Sequence, residues 1–207
     1  MDLSSSSPWA IVALAWLVAF LSGSLPFSLW LGRLVARRDI REVGDGNPGA
    51  TNAFRAGGVG LGVAALLLDV TKGVLPIAFA RDALGLGGWS LAPVPALAVA
   101  GAAFSPFLRF RGGKALAVTL GTWIGLTVWT VPLVAVGSIV VATLLVTPSA
   151  WAVAAALAAM LVGVLLWVPG GWPIVTLLLQ SAVILWKHRV ELARPPRRRR
   201  RPEAASR

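Results

Sequence analysis

The segment Gly44–Arg55 combines glycines, amide side chains and an arginine between two long apolar runs. Glycines allow backbone N–H groups to approach a ligand closely. The amides of Asn47 and Asn52 and the hydroxyl of Thr51 are neutral hydrogen-bond donors, and the guanidinium of Arg55 matches a phosphate group. The combination predicts an anion-binding loop at a membrane surface.

A second glycine-rich segment, 109–114, ends in Gly112-Gly113-Lys114 and precedes an apolar helix. Backbone N–H groups at a helix N-terminus, the positive end of the helix dipole and an ammonium group together favour an oxyanion. The spacing is not that of the phosphate loop of nucleotide-hydrolysing enzymes, so we do not predict an NTPase. A basic loop that only fixes membrane orientation is the alternative.

Charged and small polar residues also interrupt the apolar runs themselves. Asp69 and Lys72 are three residues apart and share one helical face. A lone charge inside a membrane helix costs about 3 kcal/mol. We therefore predict that the two form an ion pair, or that each pairs with another site residue. The segment 22–28 contains Ser24 as a candidate ligand and Pro26 as a predicted kink, although small residues there are equally typical of close helix packing.

The chain has one histidine and no cysteine. His188 ends the last apolar run and is followed by Glu191, so His188, Glu191 and Asp45 are the candidate proton acceptors. A histidine at a helix C-terminus is also typical of a simple dipole contact. Without thiols or further imidazoles, the sequence predicts neither a cofactor nor a transition-metal site.

The elements that must position these residues are membrane helices. Of the 207 residues, 57% are hydrophobic and only 13% are charged, against about 25% in soluble domains. We predict an all-α membrane protein with about seven spans, because apolar runs near the required length of about 20 residues occur at 9–31, 58–80, 90–108, 115–131, 132–147, 150–168 and 172–187.

The distribution of basic residues predicts the orientation of these spans. Lys and Arg collect in the loop 33–55, in the loop 109–114 and in the C-terminal tail, which places all three in the cytoplasm and the N-terminus outside. Residues 1–7 lack the basic start of a cleavable signal peptide. We therefore expect one membrane domain over 1–190 and a basic, disordered tail over 191–207 that contacts membrane lipid rather than nucleic acid.

The ordered set of motifs resembles a known bacterial family, the membrane glycerol-3-phosphate acyltransferases that use acyl-phosphate. The match covers about 22–189, and the fragment Gly46-Asn47-Pro48-Gly49-Ala50-Thr51-Asn52 is its most specific part. The resemblance implies seven helices in the bacterial plasma membrane and an active site facing the cytoplasm. It also implies acyl transfer from acyl-phosphate to the sn-1 hydroxyl of glycerol 3-phosphate, which gives lysophosphatidic acid and phosphate for phospholipid synthesis.

Together, the motifs and the resemblance predict a site with three kinds of residue. The phosphate-binding candidates are Ser24, Gly46, Asn47, Thr51, Asn52, Arg55, Lys72, Gly112, Gly113 and Lys114. The catalytic candidates are Asp45, His188 and Glu191, and Asp69 has an electrostatic role. The acyl chain is expected between helices, entering from the lipid.

This chain departs from the family pattern at four positions. Asp45 replaces a usual Ser, Ala102 a usual His, Glu191 a usual Asn and Ala115 the last glycine of the second loop. Asp45 and Glu191 add negative charge beside anionic substrates. A diverged member without activity or with another substrate, and a transporter of a phosphorylated lipid intermediate, are therefore the alternative functions. Oligomeric state is left open by the sequence.

Overall fold

Eight α-helices form the part of the chain that our computed structural model describes, residues 8–198. They are α1 (Pro8–Ser24), α2 (Phe27–Val35), α3 (Ala50–Ala78), α4 (Pro93–Ala103), α5 (Leu116–Thr127), α6 (Thr130–Leu145), α7 (Ser149–Trp167) and α8 (Trp172–Leu192). Short 3-10 or π-helical turns lie at Ile40–Glu42, Phe79–Ala83, Gly88–Ser90 and Pro106–Leu108. The expectations for the N-terminal segment 1–7 and for the tail beyond residue 198 lie outside the described residues.

The fold is the predicted all-helical membrane fold. Among residues 8–198, four segments are long and apolar enough to cross a membrane: Pro8–Val35, Ala50–Ala83, Gly88–Leu108 and Ser149–Trp167. Two further apolar helices, α5 and α6, are shorter. Many leucines, valines and tryptophans are exposed on these helices, as expected for surfaces that face lipid. The total of seven spans remains a prediction.

Two of the long apolar segments contain an irregular point. The run 9–31 is divided into α1 and α2 at Pro26, where a continuous helix loses a backbone hydrogen bond. Lys72 Nζ donates at 2.7 Å to the carbonyl of Leu25, the residue before this proline. In α3, Gly57 and Gly58 depart from helical geometry, with Gly58 at φ +75°. This irregular point lies at the start of the predicted apolar run 58–80, within the apolar segment Ala50–Ala83.

Small residues bring α3 and α5 into close contact, with their N-termini at the same end. A Cβ atom on Gly73 would overlap the carbonyl of Val118, and one on Gly121 would overlap the carbonyl of Val70. A side-chain hydrogen bond connects α5 to α8, because Trp123 Nε1 donates to Gln180 Oε1 at 2.8 Å. These contacts fix the height and rotation of α5.

The basic tail begins later than predicted. Helix α8 continues to Leu192, so the boundary expected at residue 191 lies inside it. Trp151 Nε1 donates to the carbonyl of Arg194 at 2.8 Å, and Arg197–Arg198 pair with Val146–Thr147 as two short antiparallel strands, β2 and β1. Residues 191–198 are therefore ordered against the turn between α6 and α7, which corrects the expectation of disorder for this part.

Candidate active site

A cavity of about 680 Å³ joins the polar loops to the apolar interior. Its polar end contains side chains from the two glycine-rich loops and from the C-terminal end of α8. Its apolar arm runs between α5, α6 and α7, and its lining residues there include Leu120, Val136 and Met160. A cavity with one charged and one apolar end suits an amphiphilic ligand.

Asn52 organises the first loop. Its Nδ2 atom donates to Asp45 Oδ1 and to the carbonyl of Asn47, both at 3.0 Å, and its Oδ1 accepts from Arg55 Nη1 at 3.2 Å. Gly44 has φ +62°, and a Cβ atom there would overlap Arg55 and Asn52. Asn52 is 1% exposed and does not line the cavity, so it positions the loop instead of contacting phosphate as predicted.

The second loop differs from the predicted phosphate cradle. Gly113 N–H donates to the carbonyl of Ala102 at 3.1 Å, and Lys114 N–H donates to Asn47 Oδ1 at 3.1 Å, so neither backbone group is free for a ligand. Gly112 does not line the cavity, and its carbonyl accepts from Lys187 Nζ at 2.8 Å. The expected role of these N–H groups is therefore wrong for the structure as it stands, and the loop contributes chiefly the Lys114 side chain.

Two carboxylates bind that side chain. Lys114 Nζ lies 2.9 Å from Asp45 Oδ2 and 2.5 Å from Glu191 Oε1. Burial alone would raise the pKa of the Asp45 carboxyl, but the Lys114 ammonium and the bonds from Asn47 and Asn52 outweigh burial and hold that pKa below its usual value. Burial likewise disfavours the Lys114 ammonium, yet the two carboxylates raise its pKa. Asp45 and Lys114 are therefore both ionised at neutral pH.

Two helix N-termini open on the polar end of the cavity. No side chain among the described residues caps α3 or α5, and the first residues of both helices line the cavity. The free N–H groups of the first turn and the helix dipole attract anions. Thr51 and Arg55 lie beside the first N-terminus and Lys114 beside the second.

His188 is positioned as a neutral base. The side chain is 3% exposed and lines the cavity, and Nδ1 lies 2.8 Å from the carbonyl of Ile184. A carbonyl can only accept, which assigns the proton to Nδ1 and leaves the lone pair on Nε2. Nε2 has no hydrogen-bond partner within residues 8–198.

Asp69 and Lys72 form the predicted ion pair, with 2.8 Å between Lys72 Nζ and Asp69 Oδ1. Ser28 Oγ donates to Asp69 Oδ2 at 2.5 Å, and Lys72 also donates to the carbonyl of Leu25. Both charges line the cavity, but their contacts hold the break between α1 and α2. The predicted phosphate contact of Lys72 is therefore not favoured by its present partners.

Most predicted site residues meet at the cavity. The structure places Ser24, Asp45, Asn47, Thr51, Arg55, Asp69, Lys72, Gly113, Lys114, His188 and Glu191 on its wall, whereas Gly46, Asn52 and Gly112 lie off it. Sequence reasoning missed Ser105, a buried lining residue whose Oγ donates to the carbonyl of Ser24 at 2.6 Å. The signal available was a serine before Pro106 at the end of an apolar run.

The chain is similar to known proteins over most of its length. The profile of the family described as glycerol-3-phosphate acyltransferase matches residues 13–196. This chain belongs to that family. It is 40% identical over 185 residues to a glycerol-3-phosphate acyltransferase of Thermus thermophilus, covering 86% of this chain and 88% of the relative. Glycerol-3-phosphate acyltransferase 1 of Thermotoga maritima is 35% identical to this chain over 191 residues, which cover 86% of this chain and 94% of the relative.

Solved structures of the family share the fold. The crystal structure of PlsY, an integral membrane glycerol 3-phosphate acyltransferase, in its glycerol 3-phosphate form superposes with a TM-score of 0.77 at 27% identity, covering 88% of this chain and 90% of that one. The predictions of a membrane protein and of a glycerol-3-phosphate acyltransferase in phospholipid synthesis are thus confirmed.

Proposed function

We propose that this acyltransferase moves a fatty acyl group from acyl-phosphate to the sn-1 hydroxyl of glycerol 3-phosphate, giving lysophosphatidic acid and inorganic phosphate. One observation carries the proposal. Two uncapped helix N-termini, with Arg55 and Lys114 beside them, meet at the polar end of a cavity whose other arm is apolar. Two phosphate groups and one hydrocarbon chain are what such a cavity would hold.

Each phosphate is assigned to one helix N-terminus. The N-terminus of α3, with Thr51 and Arg55, binds one phosphate, and the N-terminus of α5, with Lys114, binds the other. The acyl chain occupies the apolar arm toward Met160. This arrangement would keep the acceptor hydroxyl close to the acyl carbonyl, which accounts for much of the rate in a direct transfer.

The chemistry needs no acyl-enzyme. The acceptor oxygen attacks the acyl carbonyl, the new ester C–O bond forms, and the bond between the acyl carbon and the phosphate oxygen breaks as phosphate leaves. His188 Nε2 takes the hydroxyl proton, or the departing phosphate takes it. Asp45 and Glu191 were equal candidates in the sequence, but both contact the Lys114 ammonium, and the lowered pKa of Asp45 makes it a weak base.

Replacement of each phosphate-binding cation tests the assignment. We expect Arg55→Ala and Lys114→Ala each to lower turnover of labelled glycerol 3-phosphate by at least about a hundredfold, a loss comparable to that of one transition-state donor. Arg38→Ala is the matched control, because Arg38 is exposed in the same loop region and lies off the cavity. Unchanged turnover in both variants would refute this site.

The same assay separates the alternative functions. Purified protein that releases phosphate and forms the acylated product is the enzyme. Protein that forms no product but moves a phosphorylated lipid across vesicles is a transporter, and protein that does neither is a diverged, inactive member of the family.

A further inference from the structure

Among residues 8–198, the side chains that line the polar end of the cavity carry no excess positive charge. Beside the two cations Arg55 and Lys114 lie the carboxylates of Asp45 and Glu191, and the other lining lysine, Lys72, is paired with Asp69. A site that receives two phosphate groups is expected to be cationic. The equal numbers of positive and negative side chains at this site therefore need an explanation of their own.

Lys114 lies at the centre of this group of charged side chains. Its ammonium contacts Asp45 from the first loop and Glu191 from the end of α8, and its side chain is 22% exposed. The two carboxylate side chains remain 47% and 30% exposed, so water and ions reach the cluster from the cavity mouth. Two of the three N–H donors of the ammonium are thus already occupied by carboxylate oxygens.

We infer that Asp45 and Glu191 compete with the phosphate of the substrate for the Lys114 ammonium. By this competition they set a low affinity for that phosphate. The inference rests on the proposed function of the cavity. A phosphate that binds Lys114 must displace one or both carboxylates or lie beside them, and either event costs free energy through lost ion pairs or like-charge repulsion. Asp45 and Glu191 are therefore affinity-determining residues.

Uncharged isosteres isolate this effect from folding. Asp45→Asn keeps an oxygen that can accept from Asn52 and from the N–H of Asn47, and the contact between Lys114 N–H and Asn47 still joins the two loops. Glu191→Gln preserves the shape of a partly exposed side chain at the end of α8. Both variants remove a negative charge without opening a void.

The experiment measures KM for each of the two substrates at a fixed concentration of the other and, independently of turnover, the calorimetric dissociation constant for inorganic phosphate. We expect each single variant to lower this dissociation constant, and the KM of the substrate whose phosphate binds Lys114, by about fivefold, the scale of one partly exposed ion pair, and the double variant to lower them further. Glu42→Gln is the control, because Glu42 is exposed in the first loop and does not line the cavity.

The outcomes separate the two claims. Wild-type protein that turns over substrate, with variants whose constants are unchanged or raised, would overturn the inference while leaving the proposed function standing. Wild-type protein that neither binds phosphate nor forms product would defeat the proposed function itself. Lower constants in the carboxylate variants together with unchanged constants in Glu42→Gln would support the inference.

Discussion

Ala115 is the residue whose backbone conformation is least suited to its side chain at this site. It precedes α5 with φ +60° and ψ +13°, the left-handed region that favours glycine. The family usually has glycine there, beside the lysine that we assign to phosphate. The departure therefore affects the stability of the loop that presents Lys114.

We expect Ala115→Gly to raise the free energy of unfolding by about 1 kcal/mol, because it relieves the left-handed strain. The midpoint of thermal unfolding in detergent measures the effect. Ala155→Gly, at an exposed position inside α7, is the opposite control and should lower stability by about 1 kcal/mol. A lower midpoint for Ala115→Gly would show that the left-handed conformation carries no strain.

The parallel contact between α3 and α5 brings the two glycine-rich loops together. Both helices begin at the polar end of the cavity, and Gly73 and Gly121 let their backbones approach closely. A larger residue at this contact must move α5 and, with it, Lys114 relative to Asn47. Helix separation is therefore coupled to site geometry.

We expect Gly121→Ala to lower stability by about 1–3 kcal/mol through overpacking, and to lower turnover more than tenfold in protein that remains folded. The measurement is turnover per folded molecule after size-exclusion chromatography. Gly137→Ala is the matched control in α6, since a Cβ atom there has nothing within 4 Å. Full activity in Gly121→Ala would mean that the two loops are not held by this contact.

At the scale of the whole molecule, we propose the orientation that the basic residues predict, with both glycine-rich loops and the C-terminus in the cytoplasm and seven helical spans in the plasma membrane. All but one of the predicted apolar runs coincide with a single helix, and the first is divided into α1 and α2. The phosphate site then opens toward the compartment that contains soluble phosphate esters, while the apolar arm lies within the bilayer.

Because the chain has no cysteine, single cysteines report this orientation directly. We expect a membrane-impermeant maleimide to label Ala83→Cys in intact cells, and to label Arg38→Cys and Arg111→Cys only after permeabilisation. All three positions are exposed. Labelling of Arg38→Cys in intact cells would reverse the proposed orientation, and labelling of all three would contradict a single topology.

Much of the site could be predicted because its residue types are rare in an apolar chain. Asp69 and Lys72 share a helical face, so their ion pair follows from spacing alone. The roles of Asn52, Gly112 and the Gly113 N–H could not be predicted, since each depends on a partner distant in sequence or on which way a loop turns. Lys187, which holds the second loop through Gly112, gave no signal beyond its charge.

The sequence by itself determined the membrane character, the helical class, the break at Pro26 and most of the charged and polar residues that line the cavity, because hydropathy, proline chemistry and rare buried charges are local properties. Only the tertiary structure decided that Lys114 is shared between Asp45 and Glu191 and that two helix N-termini face one cavity. Those facts depend on how close α3, α5 and α8 pack, and that distance is set by contacts such as Gly121 against α3 and Trp123 against Gln180.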